Sequence, residues 1–583
     1  MSISPPATTG PRTTTAPSAL RDLGRRRLDR YPERGARYWY LGIVVLVTIV
    51  LYYQLYIQYA VSTAIIGEYD MTFLYFVYIS VAANAVGAFS SLVAGLADRW
   101  GRANIVVYGL LAVGLLTTFA LPNAPGKVSY LLVYSAVALV EGMILVATPA
   151  LIRDFSPQLG RASAMGYWTM GPIIGSLVVT AVTSRTYGGG TTWQDEIRFA
   201  GISGLVLFVV ALFGLRELAP ALRDQIMVSL RDRALVEARA KGIDTDTALG
   251  GQWRQMLRLD VIGSAVAISL YLLLYYAAVG NFVLYFATTF GYSAQRANAL
   301  LNWYWGANAI SLVVAGLLSD RLRVRKPFML LGGLGSIGFT LWFTLRATEA
   351  HTGYYTFAMI VAGIGVTSGI AYSPWMASFT ETVERHNPAA TATGLAIWGW
   401  TVRITVALSA AFIPLVVNTV TPLIEHGPAV EQASVRAAPA LAVTEAHPKL
   451  FEELGAYAPD KVPASLLARA EKEVGAEQLR TVQKAAPQLK ILREHGAEVA
   501  RASADNPGKW QTWWWVCLGG QVLFLPFVFV MTGRWRTRDA RRDLEAHEEA
   551  VARQVAELRD GADSAGNAVS ADRTDGAQEG RTA

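Results

Sequence analysis

Twelve apolar runs of about 20 residues dominate this chain of 583 residues, and little else can be done with them than cross a bilayer as helices. They lie roughly at 39–62, 71–95, 104–122, 129–152, 162–184, 199–216, 261–287, 296–318, 327–346, 354–377, 389–418 and 511–532. In lipid the backbone must satisfy its own hydrogen bonds, which leaves helices or closed barrels, and runs this long are helical. The expected fold class is therefore an all-α membrane protein with 12 transmembrane helices. Charged residues make up only 16% of the chain, against about 25% in soluble domains. The net charge of +7 sits in short loops, so the lipid bilayer is the expected partner and nucleic acid is not.

Lys and Arg fix the orientation. With the N-terminus inside, the short outer loops hold Lys127, Arg185, Arg198, Arg296 and Arg346. The inner loops hold many more, including Arg216 to Arg258 between runs six and seven, Arg321 to Lys326, and Arg534 to Arg542. By the positive-inside rule both termini are cytoplasmic, in a plasma or inner cell membrane.

The chain also repeats itself. Gly95-Leu-Ala-Asp98-Arg99-Trp-Gly101-Arg102 is a charged turn between runs two and three, and Gly316 to Arg323, with Asp320 and Arg321, stands between runs eight and nine. Leu51-Tyr52-Tyr53 matches Leu274-Tyr275-Tyr276, Thr148-Pro149 matches Ser373-Pro374, and Gly166 and Gly171 match Gly394 and Gly399. Matches at nearly one offset argue for two similar six-helix halves, a plan that builds many secondary transporters. The organisation expected is a disordered basic N-terminus (1–37), a first half (38–216), a central cytoplasmic loop (217–260), helices seven to eleven (261–418), an extracytoplasmic insert (419–508), helix twelve (509–533) and a charged tail (534–583). Helical stretches are expected in the insert near 464–480 and 488–502, and the insert is a candidate surface for protein contact.

The charged turn resembles the signature loop between helices two and three of the major facilitator superfamily (MFS), with Gly316, Asp320 and Arg321 as its degenerate copy. The resemblance implies the MFS fold, alternating access between two pseudo-symmetric halves, and a cytoplasmic latch built on Gly95, Asp98, Arg99, Gly101, Arg102, Asp320 and Arg321. Run five carries Gly166, Gly171-Pro172 and Gly175-Ser176, which is similar to the helix-five packing signature of drug/proton antiporters in that family, with Ser in place of the last Gly. Helix four departs from those antiporters. Ala138 stands where their membrane Arg would fall, ahead of Glu141-Gly142.

Two ionisable residues lie near the middle of runs, Glu141 in run four and Arg403 in run eleven. Each costs several kcal/mol at that depth unless it faces a cavity or a partner. A carboxyl buried alone takes a proton, and one beside an Arg stays ionised. Glu141 is thus a candidate for proton coupling, and Arg403 is its alternating partner or an anchor for an anionic substrate; a static ion pair is the plainer alternative. The resemblance implies that helices one, four, seven and ten line the cavity. Run one offers Tyr52, Tyr53, Gln54, Tyr56 and Gln58, run seven Tyr275, Tyr276 and Asn281, and run ten Tyr372; Asn302 and Asn308 lie in run eight. Tyrosines give a broad apolar face with a hydroxyl, which suits an amphipathic solute. Pro149 and Pro374 are matched candidate hinges.

The reading is a secondary active transporter of a small organic solute, working by alternating access and driven by protons as symporter or antiporter. It takes up an organic anion or exports an amphipathic compound. The rival is a membrane sensor on the same fold. No enzyme is expected, because no catalytic triad or paired carboxylates stand out, and no phosphate-binding loop supports ATP. No cofactor or metal is expected either: Cys517 is the single cysteine, and His426, His447 and His495 are scattered in sequence.

Overall fold

In the computed structural model each apolar run falls on a helix. The structure describes residues 26–92, 101–156, 167–219, 222, 252–387, 391–457 and 462–539, with a few positions between 542 and 553. The start of the chain to residue 25, positions 223–251 of the central loop and most of the tail lie outside the described residues, as do Gly95, Asp98, Arg99 and Gly166.

The first six helices are α1 (Arg34–Ala60), α2 (Phe73–Leu92), α3 (Arg102–Leu115), α4 (Lys127–Phe155), α5 (Gly171–Thr186) and α6 (Trp193–Gly214). In the second half α7 is broken into Ser264–Tyr271, Leu273–Gly280 and Phe282–Phe290. It is followed by α8 (Ala294–Leu322), α9 (Lys326–Arg346), α10 (Tyr354–His386), α11 (Thr391–Val416) and α12 (Ala497–Val530). Among the described residues ten helices are long and apolar enough to cross a membrane, or eleven if Ser62–Glu68 and Phe73–Gly87, bent by 111°, make one span. Helix α5 runs for 16 residues from Gly171, after a helical turn at 167–169, and positions 157–166 before that turn lie outside the described residues.

Local chemistry sets several helix ends. Thr192 and Asp195 cap α6 reciprocally, with Thr192 N donating to Asp195 Oδ2 at 2.9 Å. Ser293 caps α8 by accepting from Arg296 N. Gly101, at φ 94°, begins α3 in a conformation that side chains rarely adopt, and a Cβ there would lie 2.4 Å from Glu217 Oε1.

The apolar cores divide in a telling way. Toward the end of the molecule that carries the insert, here the insert face, one buried cluster joins both halves. It holds Tyr53, Ile57 and Tyr134 from the first half and Leu274, Phe286, Tyr304 and Trp514 from the second. Toward the opposite face, where α1 begins and α12 ends, the described residues form two separate clusters. One lies wholly in the first half, around Val47, Leu110, Ile144 and Ala211. The other lies wholly in the second, around Ile268, Met329, Trp375 and Phe524. Among the described residues the halves are packed together at the insert face and have separate cores at the termini face.

Hydrogen bonds agree with this. At the insert face Thr180 Oγ1 of α5 donates to Asn302 Oδ1 of α8 at 2.8 Å, and Asn302 Nδ2 donates to Ser184 Oγ at 3.0 Å. Asn298 Nδ2, also on α8, donates to the Ala60 carbonyl at the end of α1 at 2.9 Å.

The insert is helical: Val420–Glu425, Gly427–Ala446, Pro448–Gly455, Ala464–Val474, Ala476–Lys484 and Ala486–Ile491 precede α12. Its apolar clusters are small, such as Leu450 with Ala470 and Val474. Helix α12 starts at Ala497, well before the apolar run at 511, because Ala, Glu and Arg continue a helix into polar surroundings. The insert is anchored at its root, where Thr419 Oγ1 donates to Asn506 Oδ1 at 2.8 Å and Asn506 Nδ2 donates to Thr289 Oγ1 of α7 at 3.0 Å.

Candidate functional site

The level at which one core becomes two is the centre of the molecule, and the chemistry gathers there. On α1, Leu51 belongs to the first-half core and Tyr53 to the shared one. On α4, Ala138 belongs to the shared core and Ile144 to the first-half core, with Glu141 between them. On α7, Tyr271 and Leu274 mark the same division.

Helical phase decides which α1 residues face the other half. Tyr52 and Tyr56 recur at i and i+4 and are each half-buried, whereas Tyr59, the next in the series, donates to Ser80 Oγ of α2 in its own half at 3.0 Å. Tyr52 packs on Tyr56 with ring centroids 5.3 Å apart. Its phenol lies within electrostatic reach of Glu141 and Arg403, and it is itself felt by Tyr276 and Tyr372. Tyr275 lies within reach of Tyr52 and Tyr56 and packs edge-on against Trp305 of α8 at 5.4 Å. Residues from both halves thus converge on a half-buried tyrosine cluster.

Tyr53, Gln54 and Gln58 occupy the other face of α1 and are buried. Tyr53 lies within reach of Glu196 on α6. Gln54 presses on α6, where a Cβ at Gly204 would lie 2.2 Å from its Nε2. Gln58 Oε1 accepts from Tyr130 Oη of α4 at 3.4 Å. All three point into their own half. Asn281 caps the middle piece of α7 at the second break and is half-buried.

Glu141 is buried, at 2% exposure, and neither carboxyl oxygen has a hydrogen-bond partner among the described residues. Arg403 is exposed and forms no ion pair among the described residues. The two charges share Tyr52 as a neighbour without bonding to each other.

The packing motif of α5 stands directly behind this cluster. A Cβ at Gly171 would lie 2.4 Å from Thr48 Cγ2, and one at Gly175 would lie 2.6 Å from Tyr52 Cβ. Glycine lets α5 touch the backbone of α1 and so sets where Tyr52 stands. Pro172 lies in the first turn of α5, where its missing N–H costs nothing.

At the termini face the two halves carry the same ion-pair plan. Arg102, which begins α3, bonds both carboxylate oxygens of Asp154 at the end of α4, at 2.9 and 2.8 Å, with both residues buried. Arg325, just before α9, bonds Glu381 near the end of α10 at 3.1 Å and Asp320 at 2.6 Å. These pairs lie within one half each. Arg321 is exposed at the end of α8.

A profile of the Major Facilitator Superfamily matches residues 44–410 of this chain. The chain belongs to the major facilitator superfamily. Among curated proteins it is similar to sugar phosphate exchanger 3 of Xenopus laevis, 22% identical over 392 residues, 61% of this chain and 75% of that one. Among solved structures it is similar to a bacterial homologue of the human lysosomal transporter Spinster, in inward-facing unoccupied and occupied conformations. The TM-scores are 0.52 and 0.53 at 15% identity, covering 86% of this chain and 99% and 97% of those chains. This MFS protein is a multi-pass integral membrane protein, and its family and relatives point to a transporter of small solutes rather than an enzyme.

Nothing in the sequence singles out Asn298, Thr180 and Ser184 of this MFS protein. A small polar side chain within an apolar run carries no mark of the helix it will meet.

Proposed function

We propose that the protein carries a small organic anion across the membrane by alternating access, with Glu141 as the proton-coupling carboxyl and Arg403 as the anchor for the substrate's negative group. The observation that carries the reading is the pair of unmatched charges at the centre. Among the described residues Glu141 is buried without a partner and Arg403 is exposed without one, and both lie within reach of Tyr52. A carboxyl in a dry setting is cheapest as the neutral acid, and opening the crevice to water or bringing a cation near favours its ionised form. A guanidinium grips carboxylate or phosphate through two parallel hydrogen bonds. Tyr52, Tyr56, Tyr275, Tyr276 and Tyr372 offer flat faces and hydroxyls for the organic body.

The name of the frog relative, a sugar phosphate exchanger, is consistent with an anionic head on a polar body. Among the described residues the divided core supports a state closed at the insert face and parted at the termini face. With the termini cytoplasmic, that is an inward-open state in a cell membrane.

Export of an amphipathic compound is the second reading, favoured by the aromatic lining and by the glycines of α5. Counterflow in proteoliposomes, with labelled organic anions and lipophilic cations tested side by side, separates the two. Saturable exchange of anions supports the first reading, and exchange of cations alone overturns it. Binding without any flux favours a sensor.

A further inference from the structure

We propose that His426, His495 and Glu498 form a site for a divalent d-block cation of the zinc class, which ties the root of the insert to the start of α12. His426 and His495 are 69 positions apart in sequence, yet their rings stack with centroids 3.8 Å apart and planes 20° from parallel. One ligand atom from each of the three residues lies within 4.8 Å of the others. Ligand atoms around a tetrahedral zinc stand about 3.3 Å apart, given bonds of about 2.0–2.1 Å. The set is therefore within a side-chain adjustment of closing on an ion.

The adjustment is specific. A cation cannot lie in the planes of two stacked rings at once, so one imidazole must turn about its χ2. Both rings are only half-buried and Glu498 is exposed, which leaves room for that turn. The backbone has brought the groups together by two devices. His426 sits at the kink between Val420–Glu425 and Gly427–Ala446. His495 lies in a π turn, Leu492–Gly496, that feeds into α12 and changes the phase of the helix there. Glu498 follows at i+3, on the same face. Glu498 forms no ion pair among the described residues, whereas the nearby Glu494 is held by Lys490 at 3.8 Å. Two neutral imidazoles and one carboxylate, with a position left for water, are a zinc-type donor set.

The tie has a structural consequence. In the short helix Val420–Glu425, Thr421 Oγ1 accepts a hydrogen bond from Phe73 N at the start of α2 at 3.2 Å. A cation at His426 would brace that helix between α2 and α12 on the insert face.

The test uses the full-length protein, purified without a polyhistidine tag and titrated with Co2+ while visible absorption is recorded, then challenged with Zn2+. The expected result is one Co2+ per chain with the intense bands of four-coordinate cobalt, displaced by Zn2+. Affinity falls at least tenfold in His426→Ala and in His495→Ala and is unchanged in His447→Ala. Circular dichroism and melting without metal check that the variants are folded. Absence of bound Co2+ in the wild type overturns the proposal without reference to any variant. Binding that is equally strong in all the variants, or that appears only at millimolar metal, also overturns it.

Discussion

Thr180 of α5 donates a 2.8 Å hydrogen bond to Asn302 of α8, 122 positions away, and this bond joins the two halves at the insert face. Asn302 in turn donates to Ser184, so a single amide bridges two turns of α5. If the halves rock, this seam must open in every cycle. The double variant Thr180→Cys/Asn302→Cys is expected to cross-link under oxidation and to lose at least tenfold in transport rate, with recovery on reduction. The native Cys517 is buried and leaves the assay clean. Full transport by the cross-linked protein contradicts an opening seam.

The ion pair of Arg102 and Asp154 is buried on both sides. Removing one partner of such a pair strands the other charge, at a cost of about 3–5 kcal/mol. Arg102→Ala is therefore expected to lower the unfolding temperature in detergent well below that of Arg321→Ala, whose side chain is exposed. Equal melting temperatures for the two variants count against this placement.

Gly175 touches the backbone of α1 beside Tyr52. A methyl group there would lie 2.6 Å from Tyr52 Cβ and 3.0 Å from the Ile49 carbonyl, and overpacking of this kind costs about 1–3 kcal/mol. Gly175→Ala is expected to shift Tyr52 and raise KM several-fold, and Gly280→Ala, with nothing within 4 Å, to leave KM unchanged. Radiotracer uptake by the two variants decides between them.

Arg403 is expected to set the substrate's charge. Loss of a hydrogen bond to a charged group costs about 1.5–3 kcal/mol, so Arg403→Ala should weaken anion binding about tenfold or more. Arg403→Lys should recover part of it, because Lys keeps the charge and loses the fork. Isothermal titration with the transported anion measures both, and unchanged affinity in Arg403→Ala removes the anchor role.

The fold was readable because the bilayer forces it. Each run of about 20 apolar residues had to be a helix, and the repeated charged turn gave the two halves. The run boundaries were less informative at helix ends, since α10 reaches His386 and α12 begins at Ala497 in polar sequence. The centre of the site was half readable. Glu141 stood out because a carboxyl in the middle of a run is costly. The phase of α1 did not stand out, because Tyr52, Tyr53, Gln54, Tyr56 and Gln58 are all polar-tipped, and only packing against Gly204 and Tyr130 tells which of them point into their own half. The partnership of His426 and His495 depends on a kink and a π turn that no spacing rule records.

The most direct test of the account is proton movement in proteoliposomes, with wild type beside Glu141→Gln and the transported anion added under an imposed pH gradient. The account predicts solute-dependent proton flux in the wild type and its loss in Glu141→Gln, with counterflow exchange retained in the variant. Proton flux of equal size in Glu141→Gln would contradict it.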